Sequence, residues 1–179
     1  MPGSQDALKS LLTIVVITDN IDFVSGKLVK EIRQTKPFAH REEEAFLNLG
    51  RTFEHLQGRV AEVLKQFQLT PTQYNVLRIL RGAGADGLAC SQVSERMITP
   101  DPDITRLLDR MAARKLIERE RSEQDRRVVI TRITGQGLAL VNQIDEPLRT
   151  LLRRDVGHIG QGRLAQLIEI LEELREPVP

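Results

Sequence analysis

Residues 91–133 read SQVSERMITPDPDITRLLDRMAARKLIERERSEQDRRVVITRI, and this stretch decides the fold. The pattern predicts a short helix opened by Ser91 and then a tight turn, because two prolines lack amide donors and disfavour helix before them. A second helix should follow, with Asp101 as its N-cap and Pro102 in its first position, and run to about Arg114. The apolar residues of this second helix recur at helical spacing: Ile104, Leu107, Leu108 and Met111.

The segment after the second helix predicts a β-hairpin. Charged residues dominate 118–127, and β-branched residues dominate 128–133. Helix, tight turn, helix and basic hairpin form the layout of a winged helix-turn-helix, in which the second helix enters the major groove and the hairpin reaches the backbone or the minor groove. The bare pattern also fits a structural helical bundle, because short helix pairs are common in all-α proteins.

Longer helices flank this motif. Apolar residues recur from Phe46 in alternating steps of three and four, at 46, 49, 53, 56, 60, 63 and 67, which predicts one long helix with a heptad-like stripe. Thr70 caps a further helix that starts at Pro71, and Thr134 opens a helix that Pro147 should kink. The final helix carries apolar residues at Leu164, Leu167, Ile168, Leu171 and Leu174. The predicted fold is mainly α with a small β-hairpin wing, a winged helix-turn-helix domain plus a helical dimerisation region.

Three short runs resemble the MarR family of bacterial transcription regulators. They are Ile104-Thr105-Arg106-Leu107-Leu108-Asp109-Arg110-Met111, Leu116-Ile117-Glu118-Arg119, and Asp125-Arg126-Arg127 ahead of Ile133-Thr134. Helices on both sides fall in the family's order, so the resemblance extends over residues 41–176. It implies a homodimer that binds duplex operator DNA, and a repressor that a small-molecule effector releases. Two positions depart from the family pattern, since Lys115 and Ile98 stand where glycine is common.

The resemblance divides the chain into three parts. Residues 1–40 are an N-terminal extension, and residues 69–134 are the winged helix-turn-helix DNA-binding domain. Residues 41–68 and 135–176 together form the helical dimerisation region.

The face of the second helix opposite its apolar stripe is basic beyond the first turn. Arg106 is the first choice for a base contact, because arginine can bridge O6 and N7 of guanine, while Thr105 can meet a thymine methyl group or a phosphate. The resemblance implies that Arg127 is the wing arginine that enters the minor groove, and that Asp125 holds it through an ion pair. The candidate DNA-binding residues are Thr105, Arg106, Arg110, Arg114, Arg121, Asp125, Arg126 and Arg127.

Less specific interpretations of these residues stay open. Arg106 and Arg110 can pair with Asp103 and Asp109 on a solvated helix, since exposed ion pairs are common. The carboxylates around the two prolines are better explained as helix caps than as ligands. A winged helix can also serve as a protein–protein interaction module, and strong salt dependence of binding to duplex DNA would separate the two functions.

Composition excludes several other classes of protein. The chain has 26 basic and 25 acidic residues, so any DNA-binding surface must come from local clustering. A single cysteine, Cys90, rules out an internal disulfide, and the three histidines lack metal-ligand spacing. No phosphate-binding glycine loop or nucleophile elbow is present, so we expect no enzyme and no cofactor. We assign Cys90 no function, because a lone cysteine there is more often a small packing residue.

The first 40 residues look like an ordered extension. Their apolar run, 11–17, is far shorter than the roughly 20 residues of a membrane span, and the flanks do not suit a signal peptide, so we expect a cytoplasmic protein. A second amphipathic patch consists of Phe23, Val24, Leu28 and Ile32. The sequence does not identify the effector, because the aromatic candidates for a pocket are better explained as core residues: Phe46, Phe53, Tyr74 and His55.

Overall fold

The structure is a computed structural model that describes residues 26–177. The chain divides into two compact units, Met1–Phe53 and Glu54–Pro179. The apolar run at 11–17, together with Phe23 and Val24 of the amphipathic patch, lies outside the described residues.

In the first unit, a hydrogen bond joins the residue before a short helix to the first turn of a long helix. Helix α1 spans Lys27–Glu31, and helix α2, which spans Arg41–Lys65, begins in this unit. The backbone N–H of Gly26 donates to Oε1 of Glu44 over 2.9 Å. Leu28 of the predicted patch is buried.

The apolar stripe of α2 is only partly packed within the chain. Phe46 is 74% exposed, and Leu49 and Phe53 are exposed as well. Leu64, near the end of the helix, is fully buried. The prediction that Phe46, Phe53 and His55 belong to the core is therefore wrong for the single chain, because all three side chains are exposed.

The second unit is helical apart from one small sheet. After the last turns of α2, its elements are α3 Pro71–Ala83, β1 Leu88–Ala89, α4 Cys90–Glu95, α5 Ile104–Ala113, β2 Ile117–Arg121, β3 Val129–Ile133, α6 Gly135–Asp155 and α7 Gln161–Glu173. Helix α6 runs through Pro147 without interruption. These elements confirm the predicted fold class, mainly α with a β-hairpin wing.

One hydrophobic core joins helices α2 to α6 and the sheet of this unit. The predicted apolar stripe of α5 contributes to it, since Leu107, Leu108 and Met111 are buried and Ile104 packs against them in part. The other buried members are Leu64, Leu69, Val76, Leu77, Leu80, Leu88, Val93, Met97, Leu116, Ile117, Val141, Ile144, Leu148 and Leu151. Burial of aliphatic side chains from all these elements fixes α5 with its opposite face towards solvent.

The sheet has three antiparallel strands in the order β1-β3-β2. Strand β3 pairs with β2 along its whole length, from Ile117 opposite Ile133 to Arg121 opposite Val129, which confirms the hairpin. The two-residue strand β1 is a feature that the sequence pattern does not predict, because two residues show no alternation. Gly87 makes its pairing possible, since a Cβ there would lie 2.6 Å from the Thr131 carbonyl oxygen.

An ion pair connects α3 to α6. The Arg81 guanidinium donates to both carboxylate oxygens of Asp145, over 2.7 and 3.2 Å, and to Oδ1 of Asn142 over 2.9 Å. The hydrogen bond from Arg81 holds the pKa of Asp145 below its usual value. At its other end, α3 begins with the predicted Thr70 cap, whose hydroxyl accepts from the Gln73 amide.

Two predicted helix starts are shifted. Helix α5 begins at Ile104 rather than Pro102, and its N-cap is Asp103 rather than Asp101. A local hydrogen bond accounts for the shift, since Oδ1 of Asp101 accepts the backbone N–H of Asp103 over 2.8 Å. This bond closes a turn over residues 101–103, just before the helix begins. Helix α4 begins at Cys90, one residue before the predicted Ser91.

Candidate nucleic-acid interface

Helix α5, which we call the reading helix, presents a polar face to solvent. Arg106 and Arg110 are exposed on it, as the helical spacing predicted, and Thr105 is exposed as well. Arg110 has no ion-pair partner within residues 26–177. Opposite them, the buried aliphatic side chains of the core hold the helix in place. This surface therefore offers two arginines and a hydroxyl group to a ligand.

Arg106 is paired with the cap of its own helix. Its Nε lies 3.3 Å from Oδ2 of Asp103, and its backbone N–H donates to Oδ1 of the same carboxylate over 3.4 Å. The guanidinium remains largely exposed. The predicted pairing of Arg106 with Asp103 on a solvated helix is thus present, but it occupies only one edge of the guanidinium.

Arg114 is placed differently from the other arginines of this face. It follows the last residue of the reading helix and is half-buried. Its Nη1 donates to the backbone carbonyl of Gln68 over 2.8 Å, which links the reading helix to the end of α2. Helical spacing groups Arg114 with Arg106 and Arg110, but its guanidinium is partly engaged by the protein.

The wing tip, residues 122–128, is ordered by its own polar groups. The Ser122 amide donates to the Val128 carbonyl over 2.9 Å, and Oδ1 of Asp125 accepts the backbone N–H of Arg127 over 2.9 Å. Arg121, Arg126 and Arg127 are exposed. The implied ion pair between Asp125 and the Arg127 guanidinium is absent from this part of the chain, and the carboxylate accepts the Arg127 backbone N–H within the turn of the tip.

A further arginine connects the wing to the reading helix. Arg119 on β2 forms an ion pair with Asp109 on α5, and its side chain is only 17% exposed. Sequence reasoning named Arg119 in the family motif but did not place it at this contact. The signal available was the strand period of two, which sets Arg119 on the same face as the buried Ile117.

Known proteins with a similar sequence or fold are transcription regulators. The MarR family model matches residues 67–128. The crystal structure of a MarR transcription factor from Planctomyces limnophilus is 38% identical in sequence, with a TM-score of 0.60, and the match covers 75% of this chain and 98% of that one.

The chain belongs to the MarR family.

Two further matches extend the comparison. The transcriptional repressor MdtR of Bacillus subtilis is 25% identical over 130 residues, which are 73% of this chain and 83% of MdtR. The structure of the Staphylococcus aureus MepR–DNA complex shares the fold, with a TM-score of 0.65 and 23% identity, over 72% of this chain and 95% of that one. Fold and relatives are those of transcription regulators and not of enzymes, as the lack of catalytic motifs predicted.

The two departures from the MarR pattern have visible structural consequences. Lys115 adopts a left-handed backbone conformation, with φ of 59°, at the point where the reading helix ends. Its N–H donates to the Ala112 carbonyl over 2.8 Å and the Leu116 N–H donates to the Met111 carbonyl over 3.1 Å, which is the Schellman arrangement that normally uses glycine. Ile98 is 76% exposed in the turn before the reading helix.

Cys90 is half-buried at the start of α4 and packs against the core. Among residues 26–177, no three His, Cys, Asp or Glu side chains come together as a metal ion would require. No helix in the same range is long and apolar enough to cross a membrane.

Proposed function

We propose that this MarR family regulator is a cytoplasmic homodimeric repressor that binds duplex operator DNA and is released by a small-molecule effector. The observation that carries the proposal is the pair of exposed arginine groups on two connected elements. Arg106 and Arg110 lie on the open face of the reading helix, and Arg121, Arg126 and Arg127 lie on the wing. Arginines on such a helix and wing are suited to base edges and phosphates.

The proposed roles differ among the eight candidate residues. Arg106 and Thr105 contact base edges, and Arg110 contacts a base or a phosphate. Arg121, Arg126 and Arg127 bind the backbone and minor groove, while Asp125 shapes the tip through the Arg127 amide. Arg114 uses its remaining donors on phosphate while one of them stays on Gln68.

Dimerisation is supported by apolar side chains that the single chain leaves exposed. On α2 these are Phe46, Leu49 and Phe53, and at the end of the second unit they are Leu167, Ile168, Ile170 and Leu174. Exposed aliphatic and aromatic stripes of this length are typical of protein interfaces. We therefore propose 41–68 and 135–176 as the dimerisation region, 69–134 as the DNA-binding domain, and 1–40 as an extension to it.

The repressor role has separate support. MdtR, which matches most of this chain, is named a transcriptional repressor, and MepR has been solved in a complex with DNA. The effector would act by favouring a dimer whose two reading helices no longer match the operator spacing.

The experiment uses a duplex enriched from a random library by the wild-type protein, and a shuffled duplex of equal composition. Arg127→Ala should weaken binding to the enriched duplex by about 1 to 3 kcal/mol if it makes a groove contact. If it touches phosphate alone, binding to both duplexes should weaken equally and the salt slope should fall by about one. Lys36→Ala is the matched control, because it removes one exposed positive charge outside the proposed DNA-binding domain.

Two outcomes would count against the proposal. A wild-type protein whose binding to duplex DNA has no strong salt dependence would favour the protein–protein interaction module instead. Light scattering that shows a monomer at micromolar concentration would refute the dimer, whereas the proposal expects about twice 20.3 kDa.

A further inference from the structure

We propose that Asp103 is a positioning residue that holds Arg106 for guanine recognition and thereby sets the sequence selectivity of the reading helix. The inference rests on the proposed DNA-binding function and deepens it. It is based on the two contacts that the Asp103 carboxylate makes with Arg106, one with the backbone N–H and one with Nε.

The contact leaves the useful edge of the arginine open. Oδ2 of Asp103 lies 3.3 Å from Nε of Arg106, and neither terminal nitrogen of that guanidinium makes a hydrogen bond within residues 26–177. Arginine presents its donors in a fixed planar fork, so a carboxylate at Nε leaves the two terminal nitrogens to bridge O6 and N7 of guanine. Asp103 thus orients the guanidinium without occupying its two terminal nitrogens.

Stability gives only a weak reason for this ion pair. The two side chains are 79% exposed for Arg106 and 49% exposed for Asp103, and exposed pairs of this kind contribute little to folding. Capping also explains only part of the geometry, because the cap hydrogen bond to the Arg106 amide is long at 3.4 Å, and an asparagine could make it equally well. The negative charge matters for the guanidinium.

The charge of Asp103 also changes the balance between specific and non-specific binding. A carboxylate beside Arg106 repels phosphate at a place where the helix dipole would otherwise attract it. An arginine restrained in this way gives up part of its attraction to any DNA backbone, while it keeps the bidentate contact that only guanine offers. Selectivity should therefore depend on the pair more than affinity does.

Asp101 provides a matched comparison from the same turn. Its Oδ1 accepts the Asp103 amide over 2.8 Å, and it makes no ion pair with an arginine in the described part of the chain. Neutralising either carboxylate removes one negative charge from the start of the reading helix. Only the change at Asp103 removes the contact with Nε of Arg106.

The test compares Asp103→Asn and Asp101→Asn on the enriched and shuffled duplexes defined above, at one fixed salt concentration. Both variants should bind the shuffled duplex more tightly than wild type, and Asp103→Asn should do so by the larger factor because it also frees Arg106 for phosphate. The ratio of enriched to shuffled affinity should fall by roughly threefold to tenfold in Asp103→Asn, a part of the discrimination expected of a full bidentate pair, and should stay unchanged in Asp101→Asn. In an Arg106→Ala background, Asp103→Asn should no longer change this ratio.

Folding is checked by thermal unfolding, and it should be unaffected because asparagine is as good an N-cap as aspartate. Equal changes of the ratio in the two variants would show a charge effect alone and overturn the inference. An unchanged ratio in Asp103→Asn, or an effect that persists without Arg106, would overturn it as well. These results leave the proposed function intact, whereas a wild-type protein that does not distinguish the two duplexes would refute both.

Discussion

Replacing Lys115 with glycine should raise the free energy of unfolding by about 0.5 to 1 kcal/mol. A residue with a Cβ pays about 1 to 2 kcal/mol in the left-handed region that Lys115 occupies, with φ of 59°. Glycine removes this cost. It also has more conformational freedom in the unfolded chain, which reduces the gain in the free energy of unfolding by about 0.4 to 1 kcal/mol. The lysine side chain is exposed, so no packing is lost.

The hydrogen bonds around this position should survive the change because they involve the backbone. The Lys115 carbonyl accepts from the Thr134 hydroxyl over 2.7 Å, and its N–H closes the end of the reading helix. The expected gain therefore reflects conformation alone. For a chain of this size it corresponds to a rise in Tm of about 1 to 4 °C.

Urea unfolding at one fixed protein concentration measures the effect, since dimerisation would make stability depend on concentration. Gln68→Gly is a second instance of the same class, because Gln68 has φ of 56° at the end of α2. Arg110→Gly is the opposite control, within the reading helix, and should destabilise by about 1 kcal/mol. If Lys115→Gly destabilises the protein as Arg110→Gly does, the reasoning from backbone conformation is refuted.

Three further changes test other parts of the structure. Gly137→Ala should cost roughly 2 to 4 kcal/mol in thermal unfolding, because a Cβ there meets a backbone carbonyl at the base of the wing, while Gly135→Ala, which meets nothing within 4 Å, should be close to neutral. Asp145→Asn should lower the free energy of unfolding at neutral pH, because Arg81 lowers the pKa of the Asp145 carboxyl group. The stabilisation by this carboxylate is complete above about pH 4 and is lost as the pH falls through the folded-state pKa. Urea unfolding across that range should show that the wild-type protein loses its advantage over the variant in acid. Cys90→Ser should leave DNA affinity and its response to peroxide unchanged in operator titrations, and oxidation that abolishes binding by wild type only would contradict this.

Periodicity predicted the elements whose faces are buried, because burial imposes the spacing. The apolar residues of the reading helix at 104, 107, 108 and 111 meet the core, and the β-branched run at 128–133 contains β3. The face opposite a buried face is exposed to solvent, which is why the exposure of Arg106 and Arg110 could be predicted.

Features decided by a single hydrogen bond could not be predicted in this way. Asp101 and Asp103 are both good N-caps and flank the same proline, so the sequence alone does not distinguish them. The hydrogen bond from the Asp103 amide to Asp101 determines which of the two residues caps the helix, and this bond exists only once the turn has formed. The contact of Arg114 with the Gln68 carbonyl joins residues 46 positions apart, so helical spacing gives no sign of it.

The arginines of β2 show how similar residues on one strand face come to have different functions. Ile117, Arg119 and Arg121 alternate onto the same face, and their burial decreases in that order as the strand leaves the core. Ile117 packs within the core, while Arg119 lies where that face passes the reading helix and forms an ion pair with Asp109. Arg121 lies beyond this contact and is exposed, with no ion pair in the described chain. Distance from the core therefore makes Arg119 a link between wing and reading helix and leaves Arg121 exposed, where we propose that it binds phosphate.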